Sequence, residues 1–260
     1  MNEPMRKIRK RVIVLLTSWI LLLVSVFSFL SYINSSIILS PDSRILLSVG
    51  WAGYIVPSSQ NRERQAVAIS ASWVVPKVNV SVGDSYSSAW VGIGGVDLPP
   101  EKSLIQVGTE HDVVGGEEIY AGWYEMLPGF SNVIENLTVG PGDLVTASVR
   151  LIDDPSSTWN LNLTDITNGE GFSRNFVYNS ARSSGEWIVE RPVVNGQFSA
   201  LADFGVLTFS NCQIMLANES GAVRNFSYSA VQMIDQQINT LSETQQLNSD
   251  GTSFSVIFKQ

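Results

Sequence analysis

From Gly50 to the C-terminus the chain reads as one strand after another, cut by turn signals, and this pattern confines it to an all-β fold. In residues 65–75, Ala66, Ala68, Ser70 and Ser72 alternate with Val67, Ile69, Ala71 and Trp73, and Pro76 ends the run. That period of two is what a half-buried strand requires. Similar segments fall at 86–93, 103–109, 117–126, 144–152, 158–165, 172–178, 186–190, 201–210, 226–234 and 252–258. Asn168-Gly169-Glu170-Gly171 marks a hairpin between two of them. Residues 235–246 are polar and are expected to form a loop or one short helix. Many short strands without a long amphipathic helix imply a β-sandwich or barrel. No internal repeat of roughly 20–50 residues is present, which argues against a propeller or solenoid.

Only residues 12–33 break the pattern: they are apolar and carry no charge. A helix of this length spans about 33 Å, enough to cross a bilayer. Arg6, Lys7, Arg9, Lys10 and Arg11 precede it, so residues 1–11 are expected in the cytoplasm and everything after Ile33 outside. A cleaved signal peptide is the alternative, although the run is long for one and lacks an Ala-x-Ala exit. Residues 34–49 then form a linker, and residues 50–260 one domain. Six sequons, at Asn34, Asn79, Asn136, Asn162, Asn218 and Asn225, suit an extracytoplasmic glycoprotein.

From Asn34 onward the chain has 11 basic and 23 acidic residues, a balance that repels phosphate backbones and argues against nucleic acid as a partner. Charged residues are only 15% of the chain, against roughly 25% in an average globular protein. Such a body loses little when carboxylates protonate, which fits service in acid. A single cysteine, Cys212, precludes an intrachain disulfide; it is expected to be a semi-buried small residue. The single histidine, His111, is expected in a loop after the 103–109 strand. No Gly-x-Ser-x-Gly accompanies it, so a serine triad has no nucleophile elbow, and no Asp-Thr-Gly or Asp-Ser-Gly supports an aspartic protease.

What remains for chemistry is a carboxamide, Gln106, and a carboxylate, Glu190, each within an apolar strand. A glutamate can take a proton from water and return it to a departing amine, most effectively where pH is close to its pKa. For an ordinary value near ~4.3 that means acid conditions. An amide does not titrate, so its N–H can serve an oxyanion at any pH. Polar residues on half-exposed strands are also commonly inert. Trp51-Ala-Gly53, Ala89-Trp90-Val-Gly-Ile-Gly94, Leu104-Ile-Gln106-Val-Gly108, Trp123-Tyr124-Glu125, Trp187-Ile-Val-Glu190 and Ala202-Asp203-Phe204-Gly205 decide between these readings. Their order resembles that of the glutamic peptidases, the eqolisin or G1 family, over all of the chain from about Gly50.

The resemblance implies a sandwich of two antiparallel, concanavalin-like sheets whose concave face is the substrate cleft. It also implies an endopeptidase acting on proteins or peptides at acid pH, catalytic roles for Gln106 and Glu190, and no metal or organic cofactor. Glu125 matches a family glutamate expected to support the pair, and Trp90, Trp123 and Tyr124 are expected to line the cleft. Glu110, Glu117 and Glu118 are expected to be exposed. Fungal members typically carry Asp where Gly94 stands here. The expected state is a monomer, tethered by its N-terminal helix or secreted. Two other functions suit the same fold: a surface module binding glycans or peptides, and a glycosidase built on Glu125 and Glu190.

Overall fold

A computed structural model of the protein describes residues 38–39, 45–58, 64–96 and 103–259. The proposed membrane segment, residues 12–33, lies outside them, as does Asn34. Among the described residues no helix is long and apolar enough to cross a membrane.

The described chain is all-β. Its strands are β1 (Ile38–Leu39), β2 (Ile45–Ser48), β3 (Trp51–Pro57), β4 (Ala66–Val74), β5 (Ser88–Gly94), β6 (Leu104–Val114), β7 (Glu117–Met126), β8 (Asn132–Val133), β9 (Leu144–Asp153) and β10 (Thr158–Asp165). They continue with β11 (Gly171–Val177), β12 (Ser184–Glu190), β13 (Val193–Val194), β14 (Gln197–Phe198), β15 (Val206–Leu216), β16 (Glu219–Gly221), β17 (Ser229–Ile234), β18 (Thr240–Thr244) and β19 (Phe254–Phe258). Among the described residues, helical structure is limited to short 3-10 turns. The predicted hairpin joins β10 and β11.

Seventeen of these strands form one connected network, antiparallel throughout except where β2 runs parallel to β17. Hydrogen-bonded neighbours run β8–β7–β6–β5–β12–β3–β17 on one side and β11–β10–β9–β4–β15 on the other. Strands β18 and β19 carry the connection from β17 round to β15. The network folds over on itself, so β9 and β10 lie against β5 and β6. This two-layered arrangement is consistent with a β-sandwich.

The core sits between the layers. Val91, Ile93, Val107, Trp187 and Val189 meet Trp73, Val145, Val149, Trp159 and Leu161 there. Each fully buried indole also needs an acceptor. Trp187 of β12 donates to the Ser70 carbonyl of β4 (2.9 Å), and Trp73 of β4 donates to the Thr109 hydroxyl of β6 (3.0 Å). The two layers are therefore tied by oriented hydrogen bonds as well as by apolar contact.

Several expectations need correction. Ile45–Ser48 is strand β2 rather than linker, paired with residues nearly two hundred positions away, from Ala230 to Met233. Thr240–Thr244 is strand β18, where a loop or helix was expected. β6 runs on to Val114, so His111 lies within a strand and is fully buried. The hydroxyl of Thr109 holds its Nε2 at 2.8 Å, and burial pushes its pKa down to about 3. His111 faces the core, and the hydroxyl it meets, that of Thr109, is fully buried with it. Cys212 is fully buried, which raises its thiol pKa. Of the described sequons, Asn79, Asn136, Asn218 and Asn225 are exposed and Asn162 is half-exposed.

Candidate active site

Alternation along β3, β12, β5, β6 and β7 sends every second side chain to the face opposite the core. That face carries a second, smaller apolar cluster: Trp51, Ile55, Trp90, Leu104, Trp123 and Ile188. Set among these residues are Gln106 and Glu190. Close approach of the strands demands glycine here. At Gly108, opposite Trp90 on β5, a Cβ would stand 2.1 Å from the Ala89 carbonyl oxygen.

Register places each polar residue. Gln106 lies opposite Glu125 of β7 and opposite Gly92 of β5. Glu190 lies opposite Trp51 of β3 and Ser88 of β5. Gln106 and Glu190 thus share one face, staggered along β5, with the Trp90 side chain rising between them. The Gln106 amide donates from Nε2 to Glu125 Oε2 at 2.7 Å, while its Oε1 is buried and has no partner among the described residues. Trp90 donates from Nε1 to Glu190 Oε2 at 2.8 Å, and Trp51 adds a hydrogen bond to the same carboxylate. The two indoles pack edge to face at 5.3 Å.

Electrostatics join the two ends. Desolvation raises the Glu190 pKa to about 7, against the indole hydrogen bonds, which lower it. Desolvation and then the Glu190 charge raise Glu125 to about 8, against the Gln106 hydrogen bond. Glu125 is nearly fully buried, Glu190 half-buried, and both line one pocket with Trp123, Glu110 and Asp112. Glu110, expected to be exposed, is buried instead. Desolvation, reinforced by its neighbour Asp112, raises its pKa; Asp112 itself is raised to about 8, chiefly by burial. Glu117 is exposed and Glu118 half-buried.

Sequence reasoning misplaced two aromatics. Tyr124 faces the other layer, stacked on Phe172 (5.2 Å) and packed on Phe176, because it is one position off the Glu125 register. Trp90 is fully buried, so it serves Glu190 through its N–H and offers no ring to a substrate. Trp123 does line the pocket. Trp51 entered only as part of a motif with no role of its own, Glu110 was expected to be exposed, and Asp112 was missed altogether. Carrying the period of two beyond Gln106 would have put Gly108, Glu110 and Asp112 on its face. At Gly94, φ is +95° and a Cβ would meet the Ser103 carbonyl oxygen at 2.5 Å, so this backbone does not admit the aspartate of fungal members.

Four raised carboxylates also fix how stability depends on pH. Glu110, Asp112, Glu125 and Glu190 hold protons in the folded state at pH values where the unfolded chain has released them. Their linkage term is fully present below about pH 4 and is lost as pH rises towards about 8. His111, with its lowered pKa, opposes this below about 6.5. Melting curves at about pH 5, 6.5 and 8 should therefore give the lowest midpoint at 8. The reverse order would mean that these groups are charged and compensated in the fold.

Comparison with known proteins adds a family. A model described as the peptidase A4 family matches residues 49–256. Aspergillopepsin-2 of Aspergillus niger is 30% identical over 162 residues, which cover 61% of this chain and 55% of that protein. The chain thus spans about half the length of this curated relative. Among solved structures, scytalido-glutamic peptidase with a transition state analog inhibitor superposes with a TM-score of 0.68 at 23% identity, over 81% of this chain and 98% of that one. The aspergilloglutamic peptidase of Aspergillus niger gives a TM-score of 0.58 at 26% identity, over 67% of this chain and 99% of that one.

Proposed function

Because this chain belongs to the peptidase A4 family, we propose that it is an endopeptidase that cleaves unfolded proteins or peptides with water activated by Glu190 and Gln106. The observation that carries the reading is the shared face: a carboxylate oriented by Trp90 and an amide oriented by Glu125, with Glu125 close enough to Glu190 for its charge to be felt. The fold is read as a β-sandwich with this face as its cleft.

Glu190, ionised, takes a proton from water as the water oxygen attacks the scissile carbonyl carbon. The Gln106 N–H not engaged by Glu125 donates to the oxyanion, and its Oε1 accepts from the water's remaining O–H. Glu190 then returns the proton to the amine nitrogen, and the C–N bond breaks. No metal or organic cofactor enters these steps. Glu125, protonated below about pH 8, holds the amide without adding a second negative charge beside Glu190.

Burial modifies the acid expectation. In the empty cleft the base limb of kcat/KM should lie well above the ordinary glutamate range, towards about 7. Bound substrate donates hydrogen bonds to the ionised carboxylate and lowers its pKa, so the kcat limb should lie at lower pH, and turnover extends into acid.

The test is incubation of the full chain with an unfolded protein from about pH 3 to 8, reading new termini by mass spectrometry. No new termini at any pH would remove the reading. Saturable glycan or peptide binding without cleavage would replace it with a binding module, and hydrolysis of polysaccharide controls with a glycosidase. In the cell we place the domain outside the cytoplasm as a glycosylated monomer, held by residues 12–33 or released after their cleavage.

A further inference from the structure

On the proposed peptidase reading, we infer that Glu110 and Asp112 form a subsite for a cationic side chain, lysine or arginine, of the substrate. By register Glu110 lies across Ser88 from Glu190, so the pair extends the cleft beyond the water-activating carboxylate, on the side away from Gln106.

Three observations point to an organic cation. First, Glu110 is over nine-tenths buried, lines the pocket, and its Oε1 has no hydrogen-bond partner among the described residues. Asp112 is similarly buried and, among the described residues, accepts the Ser87 backbone N–H at 3.2 Å. A buried carboxyl oxygen left without a partner is costly even when the group is protonated, and a cation supplied by the ligand both satisfies that oxygen and favours the ionised form. Second, the ion pairs among the described residues, Lys77–Glu118, Arg182–Asp154 and Lys259–Glu243, all involve other acids. Third, no three acidic or histidine side chains among the described residues converge closely enough to hold a metal ion.

The wall of the pocket suits the same guest. Trp123 lines it beside the acids, and its Nε1 is also without a partner among the described residues. An indole accepts the aliphatic stem of a lysine or arginine, and the stem carries the charge on to the carboxylates. The groups facing the pair are Glu125 from β7, Glu190 from β12 and Tyr86 just ahead of β5; none of them is cationic. In the empty pocket Glu110 and Asp112 keep their protons to higher pH than ordinary acids, because burial and their proximity disfavour two charges. Cation preference should therefore be weaker at about pH 4 than at about pH 7.

The test is a lysine scan. One lysine is moved through a neutral, internally quenched octapeptide and compared at each position with norleucine and acetyl-lysine. Full-chain protein cleaves each peptide, and its Glu190→Gln variant binds each one in a fluorescence-anisotropy titration. At one position lysine should be favoured over both neutral side chains by about tenfold, the size of one well-made charge-assisted contact. Glu110→Gln with Asp112→Asn should bring the ratio close to one. No preference at any position, or a preference that survives the double substitution, would overturn the subsite, and the scan on the unsubstituted chain decides this even if the double variant does not fold. Failure of the peptidase reading looks different: no peptide is cleaved, while the binding ratio still reports on the pair.

Discussion

Glu190→Gln should lower kcat by about 10²–10⁴-fold, the usual contribution of a positioned general acid–base group. The substitution keeps an oxygen that can accept from Trp90 Nε1 and from Trp51, so the carboxamide can sit where the carboxylate sat. What it cannot do is take a proton from water and return it. KM should change little, because the reacting proton contributes to the transition state and not to ground-state binding. The limb of kcat/KM assigned to Glu190 should vanish from the residual rate. Steady-state kinetics on one quenched peptide measure all three quantities. Activity within tenfold of the native chain would remove Glu190 from the reaction.

Gln106→Ala should cost about 10²–10³-fold in kcat, the scale of a lost oxyanion donor. The amide is held by Glu125 at 2.7 Å and does not titrate, so its contribution is independent of pH. The variant should therefore retain the shape of the native pH profile at a lower height, unlike Glu190→Gln. Truncation also leaves buried Glu125 Oε2 without its donor, which lowers stability. Activity per folded molecule, with the folded fraction taken from circular dichroism, separates the two effects. A purely structural glutamine would give native turnover in that measure.

The strands that build the site were legible because they alternate and end at strong turn signals. Residues 117–126 were read with the bounds of β7, and residues 65–75 differ from β4 by one position at each end. The far half of β6 was not. Glu110-His111-Asp112 reads as a polar loop, yet both of its faces are covered, His111 by the core and Glu110 and Asp112 by the pocket. What hides this in the sequence is that each face supplies its own reason for polarity. Thr109 pairs with His111 on one side, and acids gather on the other. β2 and β18 escaped for a different reason: both are short, and β2 is held by β17, nearly two hundred positions away, while β18 is held between β17 and β19. Tyr124 shows the opposite lapse, since its position next to Glu125 already assigns it to the core face.

The pair itself came from motif order, while its surroundings came from geometry. Trp51 as a second donor to Glu190, and Glu125 as the link between the two residues, depend on register that no single segment carries. Gly94 is a similar case. Its positive φ and the nearby Ser103 carbonyl account for a glycine where an aspartate is usual.

The most direct test of joint action is a double-variant cycle on one peptide at one pH, comparing kcat/KM for the native chain, Glu190→Gln, Gln106→Ala and both together. Two groups serving the same water and the same carbonyl should be strongly non-additive, so the double variant should be hardly slower than Glu190→Gln alone. Losses that multiply would mean that the carboxylate and the amide act independently, and the account of a shared water would be wrong.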